Sequence, residues 1–109
     1  MAKYLLIETK GPLDGGDYAF EVGEQLRDLG HDVTIYLLQD GVFIGRNDFA
    51  AAERLRRAAE EHDLQLLADI ISLRQRGVVG SRVAAMVRPG DMDELLELMM
   101  EGTDKVIWH

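Results

Sequence analysis

The most continuous apolar stretch of the chain lies at residues 33–38. All six side chains there are β-branched, aromatic or aliphatic, with no strict alternation of polar and apolar positions. This pattern is typical of a parallel strand that is covered on both faces. Gly30 before the stretch is a good helix end, and Gln39-Asp40-Gly41 after it has turn chemistry. The pattern therefore predicts a central strand.

Similar but weaker patterns predict the other elements. Strands are predicted at residues 4–7, 64–68, 83–87 and 103–108, with helical patterns in the intervals between them. Because strands and helices alternate, the chain should form crossover units with helices on both faces of a sheet. We expect a single domain over residues 1–109, with a three-layer α/β/α fold and a five-stranded parallel sheet.

Capping residues and apolar stripes define the predicted helices. Asp14 or Asp17 is expected to cap the first helix, Asp48 the second, and Asp91 with Glu94 the last. Residues 70–76 should form a short helix. Their inward stripes are predicted as Tyr18, Val22, Leu26 and Leu29 in the first helix, as Phe49, Ala52, Leu55 and Ala59 in the second, and as Met92, Leu95, Leu96 and Met99 in the last.

Composition excludes several classes of function. The chain has no cysteine, which rules out a disulfide, a thiolate metal site and a cysteine nucleophile. Its net charge of -8 opposes binding to nucleic acid or to an anionic membrane surface. No apolar run approaches the roughly 18 residues of a membrane span, so the cytoplasm is the expected location and no membrane partner is expected.

Three carboxylates should lie at the edge where the strands end, which is the ligand edge of such sheets. Glu8 follows the first strand, Asp40 the second and Asp69 the third. One interpretation is a divalent-cation site; the other is ordinary turn chemistry, because Asp and Glu are common after strands. His109 is on the same edge, but chain termini usually fray, so a hydrolytic triad with Ser72 is not favoured.

Some apolar residues have no clear place in one domain. The segment 41–46 is apolar between two glycines and could enter the core or face a partner. Leu98 and Met100 lie outside the predicted inward stripe of the last helix. A candidate contact surface is therefore formed by Phe43, Ile44, Leu98, Met100 and Trp108.

Three segments together resemble the DsrE/DsrF-like family, which includes the sulfur-relay proteins of the TusBCD and DsrEFH complexes. Residues 30–42 resemble its second strand, 69–78 the segment that begins with the cysteine of sulfur-carrying members, and 92–108 its last helix and strand. The resemblance implies a five-stranded parallel sheet, trimers or hexamers, and sulfur transfer through a cysteine persulfide.

Asp69 occupies the position that the resemblance assigns to that cysteine, with Ser72, Arg74 and Arg76 nearby. A carboxylate cannot carry a sulfane sulfur, so we expect no sulfur-carrier catalysis and no cofactor. The resemblance instead favours a homo-oligomeric accessory or interaction subunit, with protein partners of sulfur relay. The alternative is a small-ligand or metal-binding domain that uses Asp69, Asp40 and Glu8.

Overall fold

The computed structural model describes all residues from Met1 to His109. Five strands form one parallel sheet in the order β4-β3-β2-β1-β5. The strands are β1 (Lys3–Glu8), β2 (Asp32–Leu37), β3 (Gln65–Asp69), β4 (Arg88–Gly90) and β5 (Lys105–Trp108). The predicted fold class is confirmed, and β2 is the middle strand, as the apolar stretch predicted.

Four α-helices connect the strands. They are α1 (Asp17–Asp28), α2 (Ala50–Glu61), α3 (Ile70–Gln75) and α4 (Met92–Glu97). Short 3₁₀ segments occupy Gln39–Gly45 and Gly80–Arg82, and a π-helical turn, Leu98–Gly102, continues α4. None of these helices has the length and hydrophobicity needed to cross a membrane.

The two faces of the sheet are covered unequally. On the first face, β-strand residues such as Leu6 and Ile35 pack with Phe20 of α1 and Leu55 of α2 in a cluster of 18 buried residues. The second face has a cluster of only six, namely Leu5, Ile7, Tyr36, Leu38, Leu67 and Leu95. Among the helices, only α4 and the turn after it contribute to this smaller cluster.

The prediction for the fourth strand was wrong. Residues 83–87 are not a strand; Val83 forms an isolated bridge with Arg46, and β4 is the three-residue segment Arg88–Gly90. Its sequence, Arg-Pro-Gly, has turn chemistry rather than strand chemistry. Pro89 is tolerated because β4 lies at the edge of the sheet, where a missing N–H need not break a ladder on both sides.

Two of the predicted caps are also wrong. Gly16, not an aspartate, precedes α1, and Phe49 precedes α2. Neither residue provides a side-chain cap for its helix. Asp48 instead pairs with Arg46, with Nε and Oδ1 2.7 Å apart. The predicted cap of α4 is confirmed, because the Asp91 carboxylate accepts the backbone N–H of Glu94 at 2.8 Å.

The inward side of α1 differs from the predicted stripe. Ala19, Phe20 and Gly23 are buried, whereas Tyr18 and Leu29 are exposed. A Cβ at Gly23 would lie 3.2 Å from the side chain of Leu64 and 3.4 Å from that of Val33 in β2, so α1 packs tightly at this residue. A prediction that considers only large apolar residues misses this close approach. For α2 the predicted inward residues Ala52, Leu55 and Ala59 are buried, as expected.

The apolar segment 41–46 enters the core of its own chain. Val42 and Ile44 are fully buried, and Phe43 is half-buried. The buried guanidinium of Arg56 on α2 fixes this segment by donating to the carbonyl oxygens of Ile44, Arg46 and Asn47. Ile44 is therefore unavailable to the contact surface predicted for it.

Candidate functional site

The carboxyl edge of the sheet brings Glu8, Asp40 and Asp69 to one side of the molecule, but the three carboxylates do not converge on one point. Glu8 ends β1 and Asp69 ends β3, and β2 lies between these two strands. Two strand spacings separate the ends by about 10 Å. Each carboxylate has its own partners.

Glu8 is fully buried and is surrounded by donors. Its carboxylate accepts the N–H of Lys10 at 3.0 Å and that of Ala19, in the first turn of α1, at 3.3 Å. His109 Nδ1 lies 2.8 and 2.9 Å from its two oxygens. Burial raises the pKa of Glu8, although the three donors oppose that shift. This carboxylate takes the capping role that sequence analysis assigned to Asp14 or Asp17.

His109 is held firmly rather than frayed. Its N–H donates to Ile7 at 2.8 Å, and its carbonyl accepts from both the N–H and the hydroxyl of Thr9. Its ring lies against Tyr18, with centroids 4.3 Å apart and planes at 30°. With Nδ1 directed at a carboxylate, Nε2 is the nitrogen left for other contacts. The signal in the sequence is its position directly after the last strand, on the same edge as Glu8.

Asp69 is buried and serves as the N-cap of α3. Its Oδ2 accepts both the backbone N–H and the hydroxyl of Ser72, each at 2.8 Å. Ser72 Oγ in turn accepts the N–H of Gln39 at 3.0 Å, and Gln39 has a positive φ of 53°. Asp69 and Ser72 therefore fix the turn that follows β2. Asp69 Oδ1 is buried without a hydrogen-bond partner.

Asp40 lies at the protein surface and is linked to Asp69 and Ser72 through Arg76. Its Oδ1 pairs with Arg76 Nε at 2.9 Å, and Arg76 also reaches the carbonyl of Ser72 at 3.4 Å. Arg74 is exposed and forms no ion pair. Of the four residues predicted around the family cysteine position, Asp69, Ser72 and Arg76 are thus connected, and Arg74 is not.

This geometry gives no support to a divalent-cation site. Glu8 faces His109, Asp40 faces Arg76 and Asp69 faces Ser72, so the carboxylates do not converge. No group of three or more His, Cys, Asp or Glu side chains is arranged to hold a metal ion. Nor does His109 contact Ser72, so the edge contains no hydrolytic triad.

Comparison with known proteins identifies the family. The model of the DsrE/DsrF-like family matches residues 2–108. The chain belongs to the DsrE/DsrF-like family. No curated protein matches it.

Two solved structures share the fold of this DsrE/DsrF-like chain. The ychN protein of E. coli has a TM-score of 0.84 and 16% identity, and the alignment covers 100% of both chains. MTH1491 of Methanobacterium thermoautotrophicum, a protein of unknown function, has a TM-score of 0.75 and 15% identity, covering 98% of this chain and 97% of that one. At these identities the likeness establishes the fold alone.

Helix α4 presents a different side to the sheet from the one that the sequence predicted. Leu98 and Met99 pack against the smaller cluster with Leu95, whereas Met92 and Leu96 are exposed. Met100 and Trp108 are exposed, as their assignment to a contact surface requires. Leu98 was predicted for that surface, but it packs against the interior of its own chain.

Proposed function

We propose that this DsrE/DsrF-like chain is a non-catalytic, cytoplasmic accessory or interaction subunit related to sulfur relay. The observation that carries the proposal is the state of Asp69, which stands where the resemblance assigns the sulfur-carrying cysteine. Its side chain is 3% exposed, and its carboxylate is engaged by Ser72. A carboxylate in this position forms no persulfide, and the chain has no thiol anywhere.

The local structure explains how a carboxylate can replace a thiolate there without loss of the fold. A thiolate at the start of a helix is stabilised by the first N–H groups of that helix. Asp69 supplies a hydrogen-bond acceptor at the same position and accepts the Ser72 N–H as a helix cap. The substitution therefore retains the capping interaction while it removes the sulfur nucleophile.

We also propose that the subunit is a homo-oligomer, with a trimer or hexamer favoured by the family resemblance. The supporting surface is on the thinly covered second face of the sheet. Val106 pairs with Leu5 and Trp108 with Ile7, so all four side chains lie on that face, yet Val106 and Trp108 are exposed. They lie on β5, an edge strand. A second copy would bury apolar surface that the small domain leaves in water.

The experiment is sulfur loading of the purified chain by a cysteine desulfurase or a small persulfide donor, followed by intact-mass spectrometry. The native chain should gain no stable sulfur, because no thiolate is present to attack the sulfane sulfur. A stable added sulfur atom on this cysteine-free chain would overturn the proposal.

A further inference from the structure

The outer side of α4 carries a second apolar stripe that the fold does not use. Leu95, Leu98 and Met99 face the sheet. Met92 and Leu96 in α4 and Met100 in the π-helical turn that continues it follow one another at spacings of four residues, which places them along one side of this helical element. They are 45%, 48% and 81% exposed, respectively. The element is thus apolar on two sides, and only one of them is buried within the chain.

The same element is strongly acidic. Between residues 91 and 101 the chain has five carboxylates, Asp91, Asp93, Glu94, Glu97 and Glu101, and no lysine or arginine. Only Glu94 has an ion-pair partner in the chain, which is Arg88 at 2.6 Å. Asp93, Glu97 and Glu101 are left without one. The exposed stripe therefore has an unneutralised acidic border.

Charge favours a basic partner at this surface over a two-fold contact between copies. In a two-fold contact, the stripe of a second copy would bring its own carboxylates against Asp93, Glu97 and Glu101, and like charges in contact disfavour association. A partner with lysine or arginine beside an apolar stripe would pair with them instead. Methionine suits such contacts because its flexible thioether adapts to different shapes.

We propose that Met92, Leu96 and Met100, with the carboxylates beside them, form a docking surface for a basic amphipathic helix of a partner protein. The apolar side of that helix would pack on the stripe, and its cationic residues would face the acidic border. This surface is distinct from Val106 and Trp108 on β5. The inference rests on the interaction role proposed above, but its test uses no sulfur donor, so the two can fail separately.

The test uses a synthetic amphipathic peptide built from leucine and lysine, with binding measured by fluorescence anisotropy. The informative variant is Leu96→Glu, and its matched control is Leu29→Glu, which adds the same charge at an exposed leucine at the end of α1. If the stripe is the docking surface, Leu96→Glu should weaken binding by about tenfold or more, although it makes the protein more acidic. Leu29→Glu should leave binding equal or slightly tighter.

Three results would overturn the proposal. One is absence of peptide binding to the native chain. Another is equal or tighter binding by Leu96→Glu, because attraction between the peptide and the overall negative charge of the protein would then explain the binding. The third is a fall in oligomeric mass with Leu96→Glu alone, which would assign the stripe to a second copy. Met100→Glu, at the most exposed position of the stripe, replaces Leu96→Glu if the latter does not fold.

Discussion

His109 Nδ1 lies within 2.9 Å of both carboxylate oxygens of Glu8, a residue 101 positions away in the sequence. This contact joins the ends of β1 and β5, and the same carboxylate caps the first turn of α1 through Ala19. One buried acidic side chain thus connects three elements at the carboxyl edge. Because this carboxylate is fully buried, its charge state should affect the stability of the whole edge.

The first prediction concerns the pH dependence produced by Glu8. Its folded pKa is raised above 4.5, mainly by burial, so the folded state holds the proton more tightly than the unfolded state does. The stability contributed by the protonated form is complete below the unfolded pKa and is lost as pH rises through the folded pKa. Glu8→Gln does not ionise, so its stability deficit relative to the native chain should shrink as pH increases from below 4.5.

Urea unfolding at a series of pH values measures this deficit. The comparison is made in a His109→Gln background, because that removes the imidazole that contacts the Glu8 carboxylate. A deficit that stays constant or grows with increasing pH would contradict a raised pKa for Glu8.

The second prediction concerns the close approach of the chain at Gly41. A Cβ at this position would overlap the carbonyl oxygen of Glu8, a backbone atom that cannot rotate away. Gly41→Ala should therefore lower the free energy of unfolding by at least about 2 kcal/mol. Gly11→Ala is the control, because its Cβ would meet its nearest neighbour, the Asp40 carbonyl, at an ordinary 3.6 Å. Similar unfolding midpoints for the two variants in urea would show that this approach is not tight.

The third prediction concerns the hydroxyl of Ser72. It donates to Asp69 Oδ2 and accepts from the N–H of Gln39, so its removal deprives two groups of a partner. Ser72→Ala should destabilise the fold by about 1–2 kcal/mol. Ser81→Ala, at an exposed position, should change stability by no more than about 0.5 kcal/mol. Chemical denaturation of both variants would test the difference. Equal stabilities would show that the Ser72 hydroxyl does not stabilise the fold.

The sequence predicted some parts of this molecule well because the physical signal was local. The apolar stretch at residues 33–38 gave the central strand, and Asp91 gave the start of α4. Local signals failed where a distant contact decides the structure. Glu8 caps α1 from the end of β1, beyond the loop that precedes the helix, and β4 forms from Arg-Pro-Gly because it pairs with β3.

The rotation of α4 was also beyond a local prediction. Periodicity placed Leu96 toward the sheet and Leu98 away from it, whereas in the structure Leu98 packs on the small cluster and Leu96 is exposed. The π-helical turn Leu98–Gly102 changes the number of residues per turn within the element. Contact with the small cluster on the second face determines which side of α4 faces the sheet, and the residues of α4 alone do not reveal this contact.

The fourth prediction concerns the position of the family cysteine. Asp69→Cys places a thiol at the N-cap of α3, where the Ser72 N–H can stabilise the thiolate. That thiolate would attack the outer sulfur of a donor persulfide, and the donor would leave as a thiolate. We expect the variant to gain one sulfur atom in intact-mass spectrometry. The control is Ser81→Cys, an exposed thiol outside α3, and faster loading there than at residue 69 would argue against a sulfur-transfer position at Asp69.

The last prediction concerns the oligomer. Light scattering after size exclusion should give a mass that is a multiple of the 12.2 kDa chain. Trp108→Glu should weaken assembly, because it places a charge within the apolar surface that Trp108 and Val106 form on the second face. Leu98→Glu would be a poor test, since Leu98 packs against the small cluster and its loss would disturb the fold.

Leu29→Glu controls for the added charge, because this exposed side chain lies at the end of α1, which packs on the first face. The control should leave the mass unchanged. A native chain that is monomeric at micromolar concentration would exclude the oligomer outright. If Trp108→Glu and Leu29→Glu weaken the oligomer equally, the contact must lie away from β5, since only Trp108→Glu changes the proposed surface.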